Sequence, residues 1–545
     1  MKKTFILFFI LIPFKCIIST SRCGADALKI KPKGIDMSRF ENKRRLSSSY
    51  EPIRIFADYS NLNAGNGVSS EVVQQVKELI DETCQEFSKI LSIAPIGSRV
   101  QLSENEIKQY CEVDYLGSDY QNYFLYNDIV IFPTFDSTLS TTTLAAASMC
   151  IYLTENYRPL FGSLIINPNL SFNKKNTKLY MKTLFFHELT HVLVFTPELF
   201  ENKGMITTKI FDGSFVSFVN SPKVLTVARQ HFNCTSINGI PLENYGGAGS
   251  VGSHWESRYM LGDYMISNDY SDNVISDITL ALFEDSGIYK VNYYSGGLFK
   301  FGKNTGCDFF EKKCIEEGVT DFPEEFCTFK NQPICSRSKT VKGQCLIQDF
   351  QETIPKRYRY FDSSNLGGFA AANFCPVSYY DKQDADYYPG SCKVGTSSLS
   401  SDYGEEIGDS SFCFMSSLLP SSSNLSPSER AICYKVQCDN EKKQIIVNIG
   451  KNKVYCPSEG DWVDSPTGFK GYIECPNYYE ICGQETENEG EICNDMFDCF
   501  NKKAETNINT ISFFPEEGYE FVKLSKEYYF KFNCNLLLLI LILCI

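Results

Sequence analysis

The chain has 545 residues, a formal net charge of −14 and a hydrophobic content of 43%, which suits roughly two to four globular domains. The acidic balance argues against nucleic acid as a partner, because it provides no basic surface to neutralise phosphates. The 23 cysteines are typical of proteins from an oxidising compartment.

The first 45 residues predict two segments that precede the folded protein. Residues 1–21 have a basic start, a short apolar run and small polar residues, as in a secretory signal peptide, with a signal anchor as the alternative. Residues 22–45 are basic and polar and end in Lys43, Arg44 and Arg45. We therefore expect a short pro-segment with a dibasic processing point, or else a disordered arm.

Residues 46–195 alternate between strand-like and helix-like patterns, which indicates an α+β fold. The predicted elements, in chain order, are a strand over 53–57, a helix over 72–91, a strand over 128–133, a helix over 143–152, a strand over 164–166 and a strongly apolar helix over 177–195.

The sequence pattern of the chain changes after about residue 300. Helical periodicity fades, and 15 of the 23 cysteines lie between Cys307 and Cys499. We expect residues 301–527 to form a loop-rich C-terminal domain that is held together by disulfides.

Cysteine and asparagine positions agree with a secreted chain. Without Cys16 in the predicted signal and the two tail cysteines, 20 cysteines remain, an even number that could all pair. Glycosylation triplets begin at three asparagines, which are Asn169, Asn233 and Asn424.

Residues 528–545 form a hydrophobic tail. Its unbroken apolar run of residues 536–545 is too short for a bilayer span, which needs ~20 residues. The run has the length of a tail that is exchanged for a glycolipid anchor, with Ser525 as the best candidate for the attachment site. A plain hydrophobic end of a secreted protein is the alternative.

The strongest chemical signal is an H-E-x-x-H motif, which begins at His187 and ends at His191 within the predicted helix over 177–195. Residues i and i+4 lie one turn apart on one helix face, so both imidazoles can reach one metal ion. Glu188 can then address a water on that ion.

A catalytic zinc site needs a third protein ligand. The remaining histidines are His231, in a helix-like stretch that favours a structural role, and His254, which follows the glycine-rich residues 246–252. Glycines let the backbone approach closely and deliver a histidine from a distance. A glutamate ligand is the other option, although Glu198 and Glu201 lie too close to His191 for the usual spacing.

These motifs, in this order, resemble the leishmanolysin family of surface zinc metalloproteases, within the metzincins. The resemblance spans roughly residues 50–500 and rests on segments at 52–55, 145–150, 158–162, 187–191, 229–234, 253–258 and 280–287, and on Cys375-Pro376, Cys475-Pro476 and Ile481-Cys482.

The resemblance implies the roles of the site residues. His187, His191 and His254 would bind one Zn²⁺ per chain, Glu188 would be the catalytic acid and base, and Met265 would form the methionine turn.

The resemblance also implies an architecture. It assigns residues 46–195 to an N-terminal catalytic subdomain with the zinc helix. Residues 196–300 become an inserted region with the third ligand and the methionine turn, and a disulfide-rich C-terminal domain follows over 301–527.

One position departs from the metzincin pattern, which has glycine three residues after the second histidine. This chain has Val194 there, and a β-branched residue does not easily adopt a positive φ. We expect either that the helix continues past Phe195 and turns near Thr196, or that the site is distorted.

The sequence therefore predicts a secreted or surface-anchored zinc endopeptidase that acts on protein or peptide substrates, with membrane attachment through the tail as an option. An extended substrate is expected along residues 164–166, taken as an edge strand. The alternatives are a surface adhesion or decoy protein on a weakened protease fold, which Val194 favours, and a structural coat protein. Cys23 is either a thiolate that keeps the proenzyme latent or a disulfide partner.

Overall fold

A computed structural model of the protein describes residues 30–42, 49–65, 67–139, 143–169, 177–211, 214–245, 250–268, 270, 273–293, 299–379, 390–395, 403–458, 460–482 and 496–497. The predicted signal, the segment with Cys23, the glycines at 246–249 and the hydrophobic tail lie outside these residues.

Helices and strands both contribute to the fold. The α-helices are α1 (Ser70–Ile90), α2 (Glu104–Cys111), α3 (Tyr123–Tyr126), α4 (Thr177–Leu193), α5 (Pro197–Asn202), α6 (Pro222–Phe232), α7 (Ser257–Met260), α8 (Asp277–Asp285), α9 (Asp308–Glu311) and α10 (Tyr478–Ile481).

The strands up to residue 300 are β1 (Lys33–Ile35), β2 (Glu51–Pro52), β3 (Ile55–Ala57), β4 (Leu91–Ile93), β5 (Ile129–Phe135), β6 (Ala145–Leu153), β7 (Arg158–Ile166), β8 (Ile206–Phe211), β9 (Ser214–Val219), β10 (Ile240–Pro241) and β11 (Tyr289–Val291). The later strands are β12 (Pro333–Cys335), β13 (Lys342–Cys345), β14 (Gln348–Asp349), β15 (Leu366–Gly367), β16 (Ser378–Tyr379), β17 (Ser411–Ser416), β18 (Leu419–Pro420), β19 (Arg430–Asp439), β20 (Gln444–Ile449), β21 (Asn452–Tyr455), β22 (Asp461–Asp464), β23 (Phe469–Lys470) and β24 (Tyr472–Cys475).

The first half of the chain is built on a five-stranded sheet with the order β1-β6-β7-β5-β3. Strands β3, β5 and β7 are parallel to one another, whereas β6 runs antiparallel to β7. Helices α1 and α4 contact each other, and α4 also packs on β6 and β7. The predicted helices over 72–91 and 177–195 therefore exist, with ends shifted by at most two residues.

Helix α4 is apolar around most of its circumference, which is the pattern of a helix buried on all sides. Its side chains at Met181, Phe185, Leu189 and Leu193 are all fully buried. Gly162 in β7 allows the helix to lie this close to the sheet, because a Cβ at that position would overlap with Cγ1 of Val192.

Two of the predicted elements were assigned wrongly. Residues 143–152 were expected to be a helix, but 145–153 form strand β6. A short apolar run does not distinguish a strand from a buried helix, and the pairing with β7 overrides the helix propensity of the three alanines. Residues 164–166 were expected at a sheet edge, but they belong to β7, which lies between β6 and β5.

The C-terminal half contains a six-stranded sheet with the order β21-β20-β19-β17-β24-β22. Its strands pair antiparallel, and its core side chains include Phe414, Tyr434, Val447 and Ile473. This region therefore has more regular structure than its weak sequence periodicity predicted.

Eight disulfides connect the described residues, and six of them join cysteines beyond residue 310. The pairs are 111–150, 234–307, 314–375, 327–345, 335–413, 392–433, 438–482 and 456–475. The expectation that all 20 cysteines could pair is wrong for Cys84, whose thiol is free and buried in α1. Burial raises the pKa of this thiol, so it stays protonated and unreactive at neutral pH.

Among the described residues, the helices are all too short or too polar to cross a bilayer.

Candidate metal centre

Three histidines from two distant parts of the chain converge in the first half of the molecule. The Nε2 atom of His187 lies 3.1 Å from Nε2 of His191 and 3.2 Å from Nε2 of His254. The three ligand atoms all lie within 4.8 Å of one another. The structure thus brings together the three residues that the sequence singled out as metal ligands.

Backbone carbonyls orient all three rings. Nδ1 of His187 lies 2.7 Å from the carbonyl oxygen of Tyr264, and Nδ1 of His191 lies 2.9 Å from that of Phe195. Nδ1 of His254 lies 3.2 Å from the carbonyl oxygen of Ser250 and 3.1 Å from Ser253 Oγ. A carbonyl oxygen only accepts hydrogen bonds, so each Nδ1 must carry the proton. Each Nε2 atom is then left unprotonated, with a lone pair that points towards the other two Nε2 atoms. This is the arrangement of metal-bound histidines.

This donor set fits a divalent ion such as zinc. Two imidazole nitrogens on a tetrahedral zinc ion, at ~2.0–2.1 Å each, lie about 3.3 Å apart. The two closest separations here, 3.1 and 3.2 Å, are near that value. Without a cation, the three converging lone pairs would repel one another. This arrangement therefore favours the binding of a positive charge at the centre.

Burial keeps the imidazoles of His191 and His254 in the neutral form that binds metals. His187, His191 and His254 are 7%, 2% and 0% exposed. Burial lowers the pKa of His191 to about 4 and holds that of His254 well below its ordinary value. A neutral ring at physiological pH retains the lone pair that a metal needs.

Glu188 lies on the same helix as the first two histidines and is fully buried. It directly follows His187 in α4 and is not one of the three residues that offer a ligand atom. His231 lies elsewhere: its Nε2 donates to the carbonyl oxygen of Phe301 at 2.9 Å, and its ring stacks on Phe299. This is the structural role that the sequence favoured for His231.

The third histidine is held by a short parallel pairing of two chain segments. Trp255 N–H donates to the carbonyl of Met265 at 3.0 Å, and its Nε1 donates to Thr279 Oγ1 at 2.8 Å. The Trp255 ring packs edge-on against Phe195 at 5.0 Å, next to the turn that orients His191. The segment with His254 is therefore fixed to both other parts of the centre.

The predicted methionine turn directly follows Tyr264, whose carbonyl oxygen bonds to His187. Met265 is fully buried, and its N–H donates to Asp263 Oδ1 at 2.8 Å. The other carboxylate oxygen of Asp263 accepts from Thr279 Oγ1 at 2.8 Å, which ties the turn to α8. Burial raises the pKa of Asp263 to about 6, although these hydrogen bonds act to lower it.

The turn after His191 is not distorted by Val194. Helix α4 ends at Leu193, and the N–H groups of Val194 and Phe195 both donate to the carbonyl of Thr190 at 2.9 Å. Val194 does not adopt a positive φ. The expected continuation of the helix past Phe195 is therefore wrong, although the chain does turn at Thr196, the extended N-cap of α5. A wider turn takes the place of the left-handed residue and still aims the Phe195 carbonyl at His191.

Sequence reasoning missed the groups that orient the ligands. Tyr264 contributes its carbonyl to His187, and its hydroxyl lies 3.1 Å from Thr190 Oγ1. A tyrosine next to the predicted methionine turn was visible in the sequence, but a main-chain carbonyl leaves no trace in residue identity.

A small cleft opens beside His187, and it contains both apolar and polar groups. It is lined by Thr183, Leu184, His187, Tyr264, Ile266, Ser267, Asn268 and Asn273. This cleft therefore adjoins the centre on the His187 side.

Comparisons with known proteins agree on one family. The sequence profile of the leishmanolysin family matches residues 69–488. A leishmanolysin homolog of Crithidia fasciculata is 29% identical over 365 residues, which are 63% of this chain and 53% of the relative. Leishmanolysin of Leishmania major is 28% identical over 313 residues, or 54% and 50% of the two chains.

An animal relative gives the same result. The leishmanolysin-like peptidase of Drosophila melanogaster is 27% identical over 316 residues, which are 51% of this chain and 46% of the relative. The matched regions thus span about half the length of the relatives. Because the family profile extends over most of the chain and includes all three converging histidines, the protein belongs to the leishmanolysin family.

Proposed function

We propose that the protein is a zinc-dependent endopeptidase of the metzincin type. The observation that carries the proposal is the convergence of three Nε2 atoms around one point, with each Nδ1 bonded to a main-chain carbonyl. Three histidines leave a fourth position of a tetrahedral ion for water, as catalytic zinc sites require. Family membership supports the same class of activity.

The residues of this chain would have distinct roles in peptide hydrolysis. When bound, a zinc ion supplies Lewis acidity and lowers the pKa of a water toward ~7. Glu188 accepts the proton of the attacking water and later gives it to the leaving amine. The carbonyls of Tyr264, Phe195 and Ser250 keep the ligand rings in one tautomer and one orientation throughout.

Residues 164–166 offer no edge to an extended substrate, because β7 lies inside the sheet. On its outer side, β6 pairs with β1 only at Ile151, Tyr152 and Leu153. Within the described residues, the stretch from Ala145 to Met149 has no strand beyond it, and helix α4 packs directly on β6. The residues Ala145, Ala146 and Ala147 are nevertheless at most 2% exposed, so this edge is covered as well.

The alternative of an inactive binding protein has lost its main support. It rested on Val194, and the turn at that residue leaves the three histidines together. A binding module has no use for a buried Glu188 beside them.

The cellular location, the domain division, the zinc content and the substrates stay proposals that derive from the sequence. We propose a secreted or surface-anchored glycoprotein with the domain division given above, one Zn²⁺ per chain and protein substrates. Removal of the residues after 527 should release the protein into the medium, which immunoblots of cell and medium fractions would show. Equal release of the full-length chain would contradict the anchor.

The decisive variant is Glu188→Gln, which keeps the size of the side chain and removes its basicity. We expect proteolysis of casein to fall by at least about 100-fold, in line with the loss of a general base, while one zinc per chain remains. Glu201→Gln is the matched control, because Glu201 is exposed in α5 nearby. Near wild-type turnover in Glu188→Gln would show that the proposed mechanism is wrong.

A further inference from the structure

An aromatic corner lies on the open face of the C-terminal sheet, at the β22 edge. Trp462 pairs opposite Glu474, and Asp464 pairs opposite Tyr472. Since side chains alternate along a strand, these four lie on one face, whereas Ile473 between them is fully buried on the other. The rings of Trp462 and Tyr472 meet at 88° with their centroids 4.6 Å apart.

The corner exposes two adjacent aromatic side chains. The chain has two tryptophans, of which Trp255 is fully buried and Trp462 is 46% exposed. Tyr472 beside it is 37% exposed. Large aromatic side chains that lie partly in water are the residues from which a partner gains most on binding.

Carboxylates surround the two rings. Asp464 and Glu474 lie on the same face, and the Tyr472 hydroxyl donates to Glu429 Oε1 at 3.4 Å. The positive charge of Lys339 also acts on Glu474. However, the Nζ of Lys339 lies 3.3 Å from the carboxylate of Glu324, which is therefore its nearer partner. Ring faces and carboxylates both attract cations, so the corner favours a positively charged group.

The edge of β22 itself is poorly suited to accept another strand. The N–H of Trp462 already donates to Asp461 Oδ1 at 2.7 Å, so a side chain of the same strand satisfies one main-chain donor. Asp461 and Asp464 are both exposed and would repel the same edge of a second copy. Recognition through side chains on the face is therefore favoured over strand addition.

We propose that the corner formed by Trp462, Tyr472, Asp464 and Glu474 binds an arginine side chain in an exposed segment of a partner polypeptide. A guanidinium group can stack on the indole and donate to both carboxylates at once. A quaternary ammonium group could use the rings but could not donate to the carboxylates. This recognition site is separate from the histidine centre and does not depend on the proposed peptidase activity.

The test uses a fluorescein-labelled heptapeptide that alternates arginine and serine, titrated with the full-length protein and followed by fluorescence anisotropy. The matched peptide carries citrulline, which has the shape of arginine without its charge. We expect the citrulline peptide to bind about tenfold more weakly, and Trp462→Ala to weaken arginine binding about tenfold. Trp462→Phe keeps a ring and should lose about threefold.

Two controls separate this site from the rest of the molecule. Tyr455→Ala removes a 55% exposed ring from β21, at the opposite edge of the same sheet, and should leave the affinity unchanged. Glu188→Gln should bind the peptide like the wild type, so that failure of the proteolytic mechanism and failure of this proposal remain distinguishable.

Tryptophan fluorescence gives an independent readout. Acrylamide should quench the fluorescence of Trp462 but not that of the buried Trp255. The arginine peptide should protect Trp462 from quenching. The proposal is overturned if arginine and citrulline peptides bind equally, if Trp462→Ala retains wild-type affinity, or if Trp462 stays equally quenched. It is also overturned if the corner mediates self-association or binding to phosphatidylcholine vesicles in place of the peptide.

Discussion

Main-chain carbonyls fix the tautomer of each metal-binding imidazole, at Tyr264 for His187, at Phe195 for His191 and at Ser250 for His254. The ligand geometry therefore depends on backbone turns more than on neighbouring side chains. Each carbonyl also makes its imidazole a better electron donor, because the Nδ1 proton is shared with it.

His254→Ala should weaken zinc binding by at least about 100-fold, because it removes one of three ligands. His231→Ala should leave the zinc affinity unchanged, since His231 bonds to the Phe301 carbonyl away from the centre. Competition with a chromophoric chelator below the unfolding temperature measures both. Equal affinities in the two variants would show that the third ligand is misassigned.

The sequence predicted that the three histidines converge but not what orients them, and the role of Glu188 stays a prediction. The spacing of His187 and His191 alone places them on one helix face. His254 was identified because only two histidines remained besides His187 and His191, together with the family resemblance. The orienting carbonyls could not be predicted, because they depend on turns that residue identity does not specify.

At the scale of elements, the centre depends on how closely α4 approaches the sheet. Gly162 in β7 leaves the room that Val192 fills, so the helix carrying two ligands lies directly against the strands. Strong periodicity made α1 and α4 predictable, whereas β6 was mistaken for a helix because its alanines carry no strand signal.

Gly162→Ala should lower the free energy of unfolding by about 1–3 kcal/mol, because the added methyl group displaces α4 in a packed core. It should also reduce zinc affinity, since two ligands move with the helix. Gly408→Ala is the matched control, because a Cβ there meets nothing within 4 Å. Chemical denaturation and zinc competition measure the two effects, and equal stabilities of both variants would contradict this account of the packing.

At the scale of the whole molecule, most of the described disulfides lie in the cysteine-rich half of the chain. Six of the eight described bridges lie beyond residue 310, and Cys234–Cys307 connects the segment after α6 to the start of that region. The pairing itself could not be predicted, because many connectivities satisfy the same even count. The free thiol of Cys84 was missed for the same reason.

Cys84 should react with iodoacetamide only after unfolding, because it is 5% exposed and burial raises its thiol pKa. Peptide mapping by mass spectrometry, before and after denaturation without reductant, measures this. Labelling of Cys84 in the native protein, or its recovery in a disulfide after denaturation, would contradict the structure at this site.

The central claim is that one zinc ion at the three histidines makes this protein a peptidase. The most direct measurement is casein hydrolysis while metal-depleted protein is titrated with zinc. The account predicts no hydrolysis without zinc, a linear rise up to one equivalent per chain and no further gain. Full hydrolysis by metal-free protein, or none at any zinc concentration in protein with intact disulfides, would contradict it.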